Sequence, residues 1–138
     1  MSIVFDSSAM LAFLRDEKGA DVVETHLRSG APCYAHAVNL CEVFYDVLHA
    51  SDATRAKSEI ALLVAAGIEE RKDIDGLLWR DMAALVVTYR SGKGNRLVLD
   101  DAFGVALARR LDASFVTADR GELETVTADN AAKIVFIR

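Results

Sequence analysis

Four acidic residues stand at positions from which their side chains could converge on one site: Asp6, Glu42, Asp101 and Asp119. Asp6 and Asp119 each follow a short apolar run of strand type, and Asp101 opens an apolar helical stretch, where the helix dipole favours a carboxylate. Glu42 lies in a helical pattern, three residues after Asn39 and therefore on the same face. Carboxylate oxygens without cysteine or clustered histidine favour Mg²⁺ or Mn²⁺ over zinc. Such a site supports phosphodiester hydrolysis, in which one divalent metal activates water and a second could stabilise the leaving oxygen.

Convergence of four carboxylates carries a large electrostatic cost. Two of them about 4 Å apart repel by roughly 4 kcal/mol at an effective dielectric constant of about 20. A bound cation or raised pKa values must therefore offset the repulsion. The alternative is that these acids belong to the solvated surface, because several of the 21 acidic residues will end strands by chance. The spacing alone leaves both interpretations open.

The stretch from Leu97 to Asp119, LVLDDAFGVALARRLDASFVTAD, must position two of the four acids. Its period-3.6 apolar pattern predicts a helix that begins at the paired aspartates and ends around residues 109–111. A short apolar strand, residues 114–117, then stops just before the last aspartate. A helix that feeds such a strand is typical of a parallel sheet, in which strand carboxyl ends and the neighbouring helix starts form the ligand edge.

The rest of the chain alternates short apolar runs with helical patterns. A first strand, residues 2–5, ends at Asp6, and Ser7 or Ser8 is in position to cap the helix that follows. The remaining predicted elements are helices at 20–27, 38–50, 53–66 and 74–89, a turn at 30–32, short strands at 33–35 and 134–137, and an edge strand at 68–71. This order indicates one α/β domain, residues 1–138, built as a three-layer α/β/α sandwich with a mainly parallel central sheet.

The composition limits the class of protein. The chain has 138 residues, 52% hydrophobic and 27% charged, which is typical of a soluble globular protein, and it contains no apolar run long enough to cross a bilayer. An N-terminus without a basic region and only two cysteines lead us to expect a cytoplasmic protein with no membrane partner. The net charge of −5 argues against binding nucleic acid by bulk electrostatics, but acids that hold divalent metal create a local positive site.

Three segments resemble the motifs of the PIN-domain ribonucleases, and most closely those of the VapC-like toxins of bacterial toxin–antitoxin pairs. VFDSSAMLAFL is similar to the family's opening of strand, aspartate, serine and helix, and AVNLCEVFYDVL to its helix with an asparagine and then the glutamate. LDDAFGVALARRLDASFVTAD is similar to the Asp-Ala helix and the Thr-x-Asp strand end. The segments occur in the family's order and span essentially the whole chain.

The resemblance implies a function, ligands and partners. Carried over residue by residue, the family's acidic constellation falls on Asp6, Glu42, Asp101 and Asp119. Asp101 is preferred to Asp100 because the family's aspartate directly precedes the alanine that opens the helix. These residues would ligate Mg²⁺ or Mn²⁺ in an enzyme that cleaves RNA endonucleolytically. The family also implies a cognate antitoxin protein and a homodimer.

Supporting roles fall on residues that also have ordinary structural explanations. Thr117 matches the family's threonine and could orient a carboxylate or water, or be a common strand residue. Ser7 could do similar work, or only cap its helix. Asn39 matches in place, or is a buried amide bonded to the backbone. His36 departs from the family pattern, because a small hydroxyl residue is expected at its position.

Two surfaces are candidates for binding partners. Four basic residues around the acidic stretch are candidates for RNA phosphate contact, or are solvated side chains: Arg90, Lys93, Arg96 and Arg120. The helices at 38–50 and 53–66 could form a hairpin with an apolar groove for the antitoxin, or the large side chains are all core: Phe44, Tyr45, Leu48, Leu62 and Leu63. We expect Trp79 to be core rather than a base-stacking platform.

Two other functions compete with a metal-dependent ribonuclease. A PIN-like domain could bind RNA or protein without cutting, although the complete acidic set argues against a degenerate site. A phospho-receiver domain is also α/β with clustered aspartates, but it needs an aspartate pair after the first strand and a lysine at the end of a late strand. Here Asp6 stands alone and Asp119 holds the late position, so a receiver domain ranks lower.

Overall fold

The computed structural model describes residues 1–89 and 97–138 of the chain. These residues form strands and helices in the order β1 Ile3–Phe5, α1 Ser7–Leu14, α2 Ala20–Leu27, β2 Cys33–His36, α3 Ala37–Ala50, α4 Ala53–Ala65, β3 Ile68–Arg71, α5 Gly76–Thr88, α6 Leu99–Arg110, β4 Ser114–Thr117, α7 Arg120–Ala128 and β5 Lys133–Phe136. Across the described ranges, no helix is both long and apolar enough to span a membrane.

The strands form one sheet in which every neighbouring pair is parallel. Their order is β3-β2-β1-β4-β5, so the chain runs outward from β1 to β3 and then returns to place β4 on the other side of β1. In this register Ile3 pairs with Cys33 of β2 and with Ser114 of β4. The direction of winding reverses between β1 and β4. In open parallel sheets the crevice at the carboxyl side of such a reversal is the usual ligand position.

Apolar side chains cover both faces of the sheet. Val4 packs on one face with residues of α5, α6 and α7, whereas Ile3 and Phe5 pack on the other face with residues of α1 to α4. Alternation of this kind is what a strand with helices on both sides requires. The predicted three-layer α/β/α class is therefore confirmed, and the sheet formed by the described residues is wholly rather than mainly parallel.

Side chains at the strand ends cap the helices that follow. Asp6 is the N-cap of α1, because its Oδ1 accepts from the Ala9 amide at 2.9 Å, so neither serine after it fills the predicted capping role. His36 caps α3 through Nδ1, which accepts from the Val38 amide at 3.1 Å. Each cap satisfies an amide that the first helical turn leaves unpaired. The His36 imidazole thus accepts the amide hydrogen bond that a serine or threonine hydroxyl accepts at an N-cap.

One helix has no counterpart in the sequence-based prediction, and one prediction about a side chain is wrong. Helix α7 was not predicted, because its sequence RGELETVTA holds a glycine and two threonines, and its buried side chains include only one apolar pair, Leu123 and Val126. Trp79 is not core: it is 44% exposed, and the guanidinium of Arg80 lies 4.6 Å from its ring centroid. The bounds of the other predicted elements agree with the structure to within about two residues.

Gly104 allows α6 to pack closely against β4 and α3. A Cβ atom at this position would lie 2.5 Å from Cε1 of Phe115 and 2.8 Å from Oδ1 of Asn39. Both of those side chains are fully buried, so neither has open space to move into. The missing side chain therefore sets how near α6, which carries Asp101, lies to α3, which carries Glu42.

We expect Gly104→Ala to lower the free energy of unfolding by about 1–3 kcal/mol, because an added methyl group overpacks a filled core. Gly121→Ala is the control, since a Cβ there would come no nearer than 4.0 Å to the Asp119 carboxylate and alanine is the better helix former. Urea unfolding of both variants beside the parent measures the difference. Equal stability of Gly104→Ala and the parent would show that the missing side chain at Gly104 does not set the distance between α6 and α3.

Candidate active site

Asp6 is held in one orientation at the carboxyl end of the central strand. It is 1% exposed, and three donors bind its carboxylate. The Ser8 hydroxyl donates to Oδ1 at 2.7 Å, the Ala9 amide donates to Oδ1 at 2.9 Å, and the Thr117 hydroxyl donates to Oδ2. The carboxylate therefore lies in the crevice between the ends of β1 and β4.

The hydroxyls of Ser8 and Thr117 join the loop after β4 to this carboxylate. Thr117 Oγ1 accepts from the Asp119 amide at 2.9 Å, and Ser8 Oγ accepts from the Ala118 amide at 2.9 Å. Each hydroxyl thus receives one backbone amide and donates to Asp6. For Thr117 this is the arrangement that an orienting role needs. Ser8 was not predicted for the site, although a hydroxyl two residues after the aspartate was an available signal.

Burial raises the pKa of Asp6 to about 6, from an ordinary value of 3.8. Loss of hydration is the main cause, and the charge of Asp119 raises the pKa further. The hydrogen bonds from Thr117, Ala9 and Ser8 lower it. Because the net shift is upward, burial and the neighbouring negative charge outweigh three hydrogen bonds.

Glu42 reaches the same edge from α3. Burial is the first cause that raises its pKa, to about 7, followed by the charge and hydrogen bond of Asp100 and the charge of Asp6. A hydrogen bond with Ser7 lowers the pKa. A hydrogen bond between two carboxyl groups needs a proton between them. Glu42, whose pKa is raised, carries that proton when it bonds to Asp100.

The two neighbouring aspartates of α6 have different surroundings. Asp101, in the first turn, is 6% exposed. Asp100 is half-buried and lies beside Glu42. Asn39 donates from Nδ2 to the Asp100 carbonyl at 3.2 Å, so this buried amide ties α3 to the start of α6. Which of the two aspartates is a metal ligand stays a prediction.

The donor chemistry of the edge fits a hard divalent cation. The predicted ligands supply carboxylate oxygens, and two buried oxygens, Glu42 Oε2 and Asn39 Oδ1, have no hydrogen-bond partner among the described residues. However, no three Asp, Glu, His or Cys residues of ranges 1–89 and 97–138 are grouped so that they could hold a metal ion. Asp6, Glu42 and Asp119 interact electrostatically without forming a closed ligand set. The repulsion that adds to the effect of burial on the pKa values of Asp6 and Glu42 also acts to keep carboxylates apart.

Arg120 is the predicted RNA contact that the structure describes. Its exposed guanidinium lies 4.4 Å from the centroid of the Phe136 ring and donates from Nε and Nη2 to the main-chain oxygen of Arg138, at 3.3 and 3.1 Å. The other predicted contacts lie outside the described residues: Arg90, Lys93 and Arg96.

The hairpin of α3 and α4 is partly core and partly surface. Leu63 is fully buried and Phe44 is half-buried. Tyr45, Leu48 and Leu62 are 64%, 42% and 56% exposed. The interpretation that all five side chains are core is therefore wrong for three of them, and an exposed apolar surface exists on this hairpin.

An all-parallel sheet with interacting acids where its winding reverses defines an α/β protein with a candidate hydrolytic centre. The chain belongs to the PIN domain family, whose model matches residues 3–128. No curated protein matches the chain by sequence.

Solved structures share the fold at low sequence identity. VapBC-1 from nontypeable Haemophilus influenzae is 12% identical with a TM-score of 0.76, over 99% of this chain and 98% of that one. A toxin–antitoxin complex from Klebsiella pneumoniae is 14% identical with a TM-score of 0.70, over 99% and 98%. VapC20 of Mycobacterium tuberculosis, a sarcin–ricin loop cleaving toxin, is 13% identical with a TM-score of 0.69, over 89% and 94%. These structural similarities support the assignment of the fold of this chain.

We expect the metal-free protein to lose stability as the pH rises from about 4 to about 7. Asp6 and Glu42 bind protons more tightly when folded, since burial raises their pKa values to about 6 and about 7. Their contribution is complete below the unfolded pKa values, 3.8 and 4.5, and is lost as the pH passes the folded ones. For Asp6 alone the shift corresponds to on the order of 2–3 kcal/mol.

Thermal unfolding in chelator at several pH values measures this loss. Asp6→Asn keeps the shape of the side chain without its titration, so its profile should be flatter than that of the parent. Asp73 and Asp75 do not contribute to this loss of stability, because hydrogen bonds from Arg71 and Arg110 lower their pKa values to about 2, below the pH range of the measurement. A profile of Asp6→Asn as steep as the parent's would contradict the raised pKa of Asp6.

Proposed function

We propose that the protein is a metal-dependent endoribonuclease that hydrolyses RNA phosphodiester bonds and acts as the toxin of a toxin–antitoxin pair. The observation that carries the proposal is the electrostatic coupling of Asp6 with Asp119 and Glu42 at the carboxyl edge of a PIN-family sheet. Carboxylates whose pKa values are raised by burial and by neighbouring negative charge are stabilised by a cation, and phosphodiester hydrolysis uses one.

Asp6, Glu42, Asp101 and Asp119 would hold Mg²⁺ or Mn²⁺. When bound, the ion supplies a Lewis acid that lowers the pKa of water and balances negative charge on the phosphate and the leaving 3′ oxygen. The hydroxyls of Thr117 and Ser8 keep the Asp6 carboxylate in one orientation.

Two features of α3 prepare the site for a cation. Asn39 holds the start of α6 against α3 through the Asp100 carbonyl. Glu42, whose pKa is raised to about 7, would give up its proton on metal binding, because carboxylate ligands bind metal in the deprotonated form.

A cognate antitoxin and a second copy of the chain are the proposed protein partners. The exposed side chains of Tyr45, Leu48 and Leu62 offer apolar surface on the α3–α4 hairpin. A cavity of about 550 Å³ lies between α1, α3 and α4, and its lining includes Leu11 and Arg55. An apolar surface beside a groove is the kind of surface on which a partner helix docks. The toxin–antitoxin complex from Klebsiella pneumoniae has the same fold.

The second candidate is a PIN-like module that binds RNA or protein without cutting. The observation in its favour is that the acids of the described residues do not form a group of three or more that could hold a metal ion. Cleavage assays separate the two candidates directly.

We expect the purified protein, freed of antitoxin, to cut a mixture of transfer and ribosomal RNA into discrete fragments with Mg²⁺ or Mn²⁺ and not with chelator. Asp6→Asn should lower the cleavage rate by at least about 100-fold, because it removes a metal ligand. Asp112→Asn is the control, since Asp112 is an exposed acid that pairs with Lys133 just before β4 begins. Cleavage that persists in Asp6→Asn indicates contamination or a different site, whereas metal binding without cleavage supports the non-catalytic module.

Metal should also raise the melting temperature of the parent, because a ligand of the native state stabilises it by about 2.7 kcal/mol at 100 times its Kd. We expect Asp101→Asn to reduce this rise more than Asp100→Asn does, since Asp101 is the predicted ligand. Differential scanning fluorimetry with Mn²⁺ and with chelator measures both variants. The opposite order would assign the ligand role to Asp100, which lies beside Glu42.

A further inference from the structure

Glu59 lies on the buried face of α4, where the packing of the helix calls for an apolar side chain. The buried residues of α4 are Ala56, Glu59 and Leu63, which are spaced as one inward stripe. Glu59 is 7% exposed, and acidic side chains are almost never buried this deeply unless they are paired. The partners of its two carboxylate oxygens therefore decide what this residue does.

One of the two carboxylate oxygens of Glu59 has a partner and the other does not. Arg55, one turn earlier on α4, donates from Nε to Oε1 at 2.6 Å. Oε2 is buried and has no hydrogen-bond partner within residues 1–89 and 97–138. A buried acceptor without a donor lowers stability. Because the guanidinium of Arg55 already balances the charge, Glu59 lacks a hydrogen-bond donor rather than a second cation.

The cavity between α1, α3 and α4 provides space for such a donor, because Glu59 belongs to its lining. Its volume of about 550 Å³ lies in the range of sites that take small organic groups. Four apolar residues form much of the wall: Leu11, Leu14, Val47 and Ala50. A wall of this kind with few polar groups is typical of a site that takes a mainly apolar group and orients it by a specific hydrogen bond.

The charges around the cavity favour a neutral occupant. Arg15 and Arg55 both line the cavity, and each is paired with an acid, Arg15 with Asp46 at 2.9 Å and Arg55 with Glu59. A cationic group that enters would meet both guanidinium groups, whereas a carboxylate would repel Glu59 and bring no donor to Oε2. An aromatic ring with an N–H or O–H group meets every requirement, because the ring packs on apolar walls, guanidinium groups favour its face, and its donor suits the carboxylate.

We propose that Glu59 is a specificity-determining residue of the antitoxin-docking surface, and that it accepts a hydrogen bond from a neutral aromatic side chain of the antitoxin. The proposal rests on the proposed function, because that function supplies the antitoxin as the partner. A partner without a donor at this point would leave Oε2 unpaired in the complex, so the carboxylate discriminates between partners. The exposed Tyr45, Leu48 and Leu62 on the same hairpin add apolar contact without this discrimination.

Indole and 1-methylindole test this role, because they share an aromatic body and differ in the N–H donor. Correlation spectra of ¹H and ¹⁵N, recorded on the 138-residue chain in chelator, measure the binding of each probe from the shifts of the Leu14, Val47 and Ala50 amides. We expect indole to bind the parent about tenfold more tightly than 1-methylindole, which is the effect of one hydrogen bond to a charged acceptor. Glu59→Leu should lose this preference. Glu124→Leu, which changes an exposed glutamate of α7, is the matched control and should keep it.

The melting temperature of Glu59→Leu separates a role in recognition from a role in the fold. A leucine completes the apolar stripe of α4 and leaves the exposed Arg55 in solvent, so we expect a melting temperature at or above that of the parent. A lower melting temperature would show that the fold itself needs the carboxylate, and would overturn the proposal.

The two probes on the parent refute or support the proposal whether or not a variant folds. Equal affinity for both probes, or no shift at the cavity amides, overturns it, as does an unchanged preference in Glu59→Leu. Indole affinity that falls as the protein concentration rises assigns the cavity to a second copy of the chain and also overturns it. A parent that prefers indole but never cuts RNA refutes only the nuclease, whereas a parent that cuts RNA but binds both probes equally refutes only the role of Glu59.

Discussion

Burial of the Asp6 carboxylate at the end of the central strand is the constraint on which the edge of this sheet depends. A carboxylate removed from water is costly unless hydrogen bonds or a cation replace the lost hydration. Ser8, Ala9 and Thr117 replace part of it, and in doing so they join the first turn of α1 to the end of β4. The same residue thus caps a helix, fastens two strands at the winding reversal and carries the charge that the proposed function uses.

The acids of this protein show how strongly a cation partner decides the state of a carboxyl group. Hydrogen bonds from Arg71 and Arg110 hold the pKa values of Asp73 and Asp75 near 2, at the start of α5. Burial and neighbouring acids raise those of Asp6 and Glu42 to about 6 and about 7. Asp73 and Asp75 thus already have their positive partners within the fold. The second pair, Asp6 and Glu42, forms no ion pair with any basic residue of ranges 1–89 and 97–138, which is the physical basis for assigning it to a site that binds a cation.

Support for the edge comes from the packing of α3, α5 and α6. The absence of a side chain at Gly104 allows α6 to lie against Asn39, which in turn binds the Asp100 carbonyl. His36 caps α3, stacks on Phe103 of α6 at 5.0 Å between ring centroids, and donates from Nε2 to the Asp73 carbonyl at 2.7 Å. The imidazole at this unexpected position therefore ties the loop after β3 to both helices that bring acids to the site.

Local sequence determined most elements and the candidate ligands, because apolar periodicity and strand-ending aspartates are local signals. It did not reveal α7, since Leu123 and Val126 alone mark that helix, nor the exposure of Trp79, which depends on what packs against α5. Only the tertiary structure decided that Thr117 binds Asp6, that Asp100 lies beside Glu42 and that Arg120 stacks on Phe136. Those facts are contacts between segments far apart in the chain, and a sequence pattern does not record which side chains meet.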